Sequence, residues 1–144
     1  MRCGRHEEAL RTLAELGASV SQKDWGEKTA LMVASELGHE PTVRALMVLK
    51  ADIGQRDFYG TTALMYASMN GQEATVRALV ELGANVNQLT RPGYTALMLA
   101  SENGHVEAIT ALLEAHADVN QADKDGMTPL FKASQKGHVE AIKA

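Results

Sequence analysis

The chain has 144 residues, 45% of them apolar but only 4% aromatic, so a domain-sized core must be built from Leu, Ala, Val and Met. A net charge of −4 with both signs interspersed lacks the basic face of a typical nucleic-acid binder, and it is too small to suggest disorder. The single cysteine, Cys3, excludes an intramolecular disulfide, and no apolar run of roughly 18 residues could form a membrane-spanning helix.

The opening residues, with Arg2, Arg5, His6, Glu7 and Glu8 ahead of any apolar stretch, do not read as a signal peptide. An intracellular, cytoplasmic protein is expected.

A repeat of 33 residues organises the whole sequence. It aligns Thr29, Thr62, Thr95 and Thr128, then Leu31, Leu64, Leu97 and Leu130, then Gly38, Gly71, Gly104 and Gly137. Leu13, Leu46, Leu79 and Leu112 keep the same step, as do Ala18, Ala51, Ala84 and Ala117. In chain order the units are a partial one at 1–22, then 23–55, 56–88 and 89–121, and a second partial one at 122–144.

In the third, fourth and fifth units a threonine follows a turn glycine (Gly60, Gly93, Gly126) and opens a short apolar stretch, which signals a helix with a hydroxyl N-cap. In the third unit that helix ends at Gly71. A second helix follows; in 106–115 its apolar residues Val106, Ile109, Leu112 and Leu113 fall at helical spacing. The polar segment 117–126 is too rich in Asp, Asn and Gly to continue a helix and reads as an extended, hairpin-like finger. Helices this short cannot bury an apolar face alone, so neighbouring units must stack.

The motifs TALMVA (29–34), TALMYA (62–67), TALMLA (95–100) and TPLFKA (128–133), with Gly-His turns at 38–39, 104–105 and 137–138, resemble the ankyrin-repeat family over essentially the whole chain. The resemblance implies an all-α solenoid of stacked helix-turn-helix units with β-hairpin-like fingers. It also implies a protein-interaction scaffold that binds through its finger tips and concave helix face, without enzymatic activity.

Several departures from the family pattern carry expectations of their own. Where the family usually has histidine after the motif leucine, this chain has Met32, Met65, Met98 and Phe131, read as an apolar ladder in the core. Units stack about 8–10 Å apart, too far for these methionines to share a metal ion. The same spacing keeps His6, His39, His105 and His138, one per unit, from converging on zinc. Lys50 and His116 replace the glycine that ends the second helix at Gly17 and Gly83, where a left-handed backbone is required.

Glu27 sits in the finger glycine column, and the fourth finger carries Thr90 in place of Asp, followed by Arg91-Pro92. The first unit has almost no first helix, and the last unit stops within its second. Either a fragment of a longer array or a chain that stacks end to end is expected.

No nucleotide loop, zinc-protease motif or nucleophile elbow occurs, and neither cofactor nor metal is expected. Ser35, Ser68, Ser101 and Ser134 fall inside first helices without His and Asp partners. Cys3 reads as inert.

Mapped by the resemblance, the partner-binding positions are Trp25, Lys28, Val33 and Glu36 in the second unit and Phe58, Tyr59, Tyr66 and Met69 in the third. The fourth contributes Arg91, Tyr94, Leu99 and Glu102, and the fifth Lys124, Lys132 and Gln135. Five of the chain's six aromatic residues fall in this set; Phe131 alone is in the ladder. The surface is expected to grade from aromatic to Lys-rich at Lys124, Lys132 and Lys136, suiting a protein partner with an apolar anchor and an acidic flank. The resemblance also makes Asn87 and Asn120, in the Val-Asn step of the finger, candidates for asparagine hydroxylation. The alternative is that they only satisfy finger backbone groups.

Overall fold

In a computed structural model, which describes the backbone of residues 2–143 and the side chains of 5–143, helices follow one another in pairs. They are α1 (Arg2–Glu15), α2 (Ala30–Glu36) with α3 (Glu40–Val48), α4 (Ala63–Met69) with α5 (Glu73–Glu81), α6 (Ala96–Glu102) with α7 (Val106–Glu114), and α8 (Pro129–Gln135) with α9 (Val139–Lys143). First helices stack on first helices (α2, α4, α6, α8) and second on second (α1, α3, α5, α7, α9), an all-α repeat solenoid.

Each first helix starts where the sequence places it. Thr29, Thr62, Thr95 and Thr128 adopt extended backbone and accept through Oγ1 from the N–H three residues on. The methionine column does more than fill space. Met32 Sδ and Met65 Sδ accept from the backbone N–H of Thr29 and Thr62 at 3.5 and 3.4 Å, so a thioether completes the capping box.

First helices close one residue before the motif glycine. In the second unit Gly38 N–H donates to Ser35 O and His39 N–H to Ala34 O, a Schellman arrangement with the glycine just past the cap. That glycine also makes room for the next unit. A Cβ on Gly71 would lie 2.5 Å from His105 Nδ1, and one on Gly38 would lie 2.3 Å from Gln72 Oε1. Gln72, the one departure from the Gly-His pattern, donates through Nε2 to Glu36 O at 3.1 Å; His138 Nε2 contacts Glu102 O at 2.8 Å in the same way.

The core is a set of aliphatic columns. Leu31, Leu64 and Leu97, Met32, Met65 and Met98, and Leu46, Leu79 and Leu112 are all at most 2% exposed. The columns are open at both ends of the stack, where Leu13, Leu16, Leu130 and Ile142 are exposed. Phe131 was expected in the ladder but is 53% exposed, because among the described residues no further unit packs on α8. The first unit differs as well: one helix, α1, runs through Arg5-His6, where later units break at Gly-His.

The fingers are turns rather than β-hairpins. Asp24, Asp57, Thr90 and Asp123 donate their N–H to the carbonyls of Lys28, Thr61, Tyr94 and Met127. Among the described residues the only β-bridge is the isolated Lys23–Thr29 pair. Adjacent fingers are joined by single backbone bonds, Phe58 N–H to Gly26 O, Arg91 N–H to Tyr59 O and Lys124 N–H to Pro92 O.

Each finger aspartate braces its own turn. Oδ1 of Asp24, Asp57 and Asp123 accepts from the N–H groups two and four residues on. In the fourth finger Thr90 Oγ1 accepts only from Tyr94 N–H. The residue two along is Pro92, which has no N–H to give, so the Thr90 hydroxyl has only one donor to satisfy.

Lys50 and His116 have φ of 69° and 64°, and Glu27 has φ of 64°, the left-handed region that side chains disfavour. We predict that His116→Gly and Lys50→Gly each stabilise the fold by about 0.5–1 kcal/mol. Differential scanning calorimetry should show each melting point rise by roughly 2–4 °C.

Candidate interaction surface

The finger tips and the exposed side of the first helices hold most of the expected contact residues, and the side chains divide into free and committed groups. Trp25 is fully exposed, and Phe58 and Tyr59 are 55% and 66% exposed. Phe58 and Tyr59 meet edge to face with centroids 5.4 Å apart, and the Arg91 guanidinium lies 5.2 Å from the Phe58 ring centre. Arg91 and Lys124 follow Trp25 and Phe58 at the same finger position and are exposed. Val33 and Gln135 are exposed on α2 and α8, whereas Glu36, Met69 and Glu102 are half-buried.

The committed group lies between units. The Lys28 ammonium sits 4.2 Å above the Tyr66 ring and pairs with Glu36. Tyr66 Oη donates to Asp57 Oδ2 at 2.6 Å. Burial, followed by this bond, pushes the Tyr66 hydroxyl far above its ordinary range, so it remains a donor. Two units on, the parts exchange places. Lys132 lies 4.2 Å above the Tyr94 ring, and its ammonium is 3.0 Å from Asp123 Oδ2. Lys28 and Tyr94 occupy one column of the repeat, Tyr66 and Lys132 the other.

Two expected contact residues are therefore not on the surface. Leu99 is 8% and Lys132 5% exposed, and both serve the interior of the stack. The expected Lys-rich flank loses Lys132 to the buried pair and keeps Lys124 and Lys136. Tyr66 and Tyr94 are half-buried, each with one ring face covered by a lysine.

Asp123 and Lys132 hold each other's charge. Burial alone would raise the Asp123 carboxyl, but the Met127 and Asp125 N–H groups and the Lys132 ammonium bring it below its usual value. Burial likewise opposes the charged form of Lys132, and Asp123 and Tyr94 outweigh it, leaving the amine raised. Asp123 Oδ2 makes no hydrogen bond of good geometry; its partner is the ammonium charge.

The remaining candidates are structural in their contacts or dispersed. Asn87 Oδ1 accepts from Asp118 N–H at 2.8 Å, tying one unit to the next, while Asn120 N–H donates to Asp118 Oδ1. Ser35 and Ser68 donate to the carbonyls of Leu31 and Leu64 within their own helices. Among the described residues no cluster of His, Cys, Asp and Glu could hold a metal ion, and no helix is long and apolar enough to cross a membrane. The Cys3 side chain lies outside the described residues.

Stacked two-helix units joined at their fingers, with free aromatic tips, define a repeat solenoid whose variable surface is its row of fingers. The ankyrin-repeat family model matches residues 1–90 and 82–144, so the chain belongs to the ankyrin-repeat family. Such repeats generally mediate protein–protein interaction, and the domains are typically non-enzymatic. No curated protein matches the chain.

The Asp123–Lys132 pair sets a pH dependence. The lowered Asp123 carboxyl contributes stability above its unfolded value of about 3.9, lost as pH falls through the folded one. The raised Lys132 amine contributes below about 10.4, lost as pH rises through its folded value. We expect Lys132→Met to leave Asp123 buried without its counter-charge, at a cost of about 3 kcal/mol at neutral pH. Thermal melts across pH should show the deficit of this variant shrinking below the unfolded carboxylate range.

Proposed function

We propose that the chain is a non-enzymatic binding scaffold, acting inside the cell, whose protein partner docks along the finger tips and the adjoining face of the first helices. The observation that carries this reading is the placement of Trp25, Phe58 and Tyr59. In a chain with six aromatic residues, three stand exposed on adjacent finger tips, outside a core that is aliphatic. Trp and Tyr are among the residue types that most often dominate binding energy, and clustered exposed apolar surface marks contact sites. Arg91 against Phe58, then Lys124, extends the row with charge.

Val33, Glu36, Met69, Glu102 and Gln135 form the helix side of the same surface. Lys28, Tyr66 and Tyr94 contribute their outer edges, and their principal contacts are internal.

The test separates tip from scaffold. Trp25→Ala combined with Phe58→Ala should abolish affinity capture of the native partner, while circular dichroism and the melting point stay within a few degrees of wild type. Capture that survives this double substitution would place the site elsewhere. Tyr66→Phe, which removes the bond to Asp57, should act on stability and leave capture largely intact.

A further inference from the structure

The row of finger tips carries chemistry graded in one direction. Its first two positions are Trp25 and Phe58, the latter with Tyr59 against it, and its next two are Arg91 and Lys124. Among the described residues neither Arg91 nor Lys124 has a carboxylate within ion-pair distance, whereas Lys28, Arg44, Arg77 and Lys132 are all paired. Beside Arg91 a surface groove of about 520 Å³ also has Lys23 and Arg56 on its walls.

Arg56 spends Nη2 on Leu89 O at 2.9 Å and Nε on Gly60 O at 3.4 Å, which fixes its guanidinium at the groove. Of the two carboxylates there, Asp57 is already engaged by Tyr66 and by finger N–H groups, leaving Glu27 as the one opposing charge. The free charge around the third finger is positive.

The spacing of the row matches an extended chain. Units stack about 8–10 Å apart, set by helix packing, and an extended polyproline II segment has three residues per turn and rises about 3.1 Å per residue. Every third residue of such a segment lies on one face, so a segment laid along the tips presents one side chain to each finger. From this geometry we infer that the tip row receives an extended acidic peptide segment with a period of three. Two apolar side chains lie against Trp25 and Phe58–Tyr59, and two carboxylates follow at Arg91 and Lys124.

A single-stranded nucleic acid is the weaker occupant. It carries a phosphate at every step, and its length over the second finger would run against exposed Asp24 and Glu27. The inference rests on the proposed docking of a protein partner at these tips and specifies its chemistry.

The test uses fluorescently labelled peptides on the full chain. The probe carries Leu, Phe, Glu and Glu at every third position of a Ser-rich background, made in both chain directions. Controls place the same residues at every second position, and an oligothymidylate of similar length serves as the polyanion. Anisotropy should show saturable binding of one direction of the probe. It should weaken about tenfold or more, roughly 1.4 kcal/mol, on Trp25→Ala and on Arg91→Glu. It should also weaken with added salt through the Arg91 and Lys124 contacts.

Failure of both directions, equal binding of the respaced control, or preference for oligothymidylate overturns the inference. If the probe fails while capture of the native partner still depends on Trp25 and Phe58, the docking surface stands and the peptide chemistry falls.

Discussion

A seven-residue helix cannot bury its own apolar face, and everything else in this molecule follows from that constraint. The face of α4 is dry only because α2 and α6 lie on either side of it, and the same holds down the row. Leu64 and Met65 are each 1% exposed, whereas Leu130 at the same place in the last unit is 57% exposed. Stability here is a nearest-neighbour property. Side chains that do not serve the stack are free to vary, and they gather on the fingers.

Polar contacts between units follow the same rule. Arg44 reaches Glu81 and Arg77 reaches Glu114, both 37 residues along, on the outer row of second helices. These pairs are exposed and individually weak. Nearer the core, two columns of the repeat meet at two of the unit junctions with matched residue types, while the junction between them has Thr61 and Leu99 in those columns. Lysine meets tyrosine at Lys28–Tyr66, and tyrosine meets lysine at Tyr94–Lys132. In both cases the polar tip of the second residue finds the aspartate of its own finger. At these two junctions the stack thus has a pairing requirement between columns as well as a hydrophobic one.

Much of this was legible in the sequence because a period leaves the same mark several times. The threonine caps, the glycine breaks and the left-handed Lys50 and His116 all follow from one register. What was not legible depends on contacts between columns. Nothing in the spacing of Lys132 says that it is buried; only the finger aspartate of its own unit and the tyrosine of the preceding one explain it. The expected binding set accordingly mixed free tips such as Trp25 with internal residues such as Leu99. A signal was present in the matched exchange of Lys and Tyr at two columns, but it is seen only once those columns are known to touch. The fourth finger's Thr90 similarly makes sense only beside Pro92, whose missing N–H removes the second donor that the finger aspartates serve.

The claim that fixed columns pair across units is tested most directly by exchanging one pair. Lys28→Tyr and Tyr66→Lys, alone and together, should be compared by chemical denaturation in a double-mutant cycle. Each single substitution places like beside like and should destabilise. The double variant re-creates the arrangement that Tyr94 and Lys132 already adopt, with Asp57 placed to pair as Asp123 does. It should recover about 1 kcal/mol or more relative to the sum of the singles. Strict additivity, with the double variant as unstable as the two singles combined, would contradict the account.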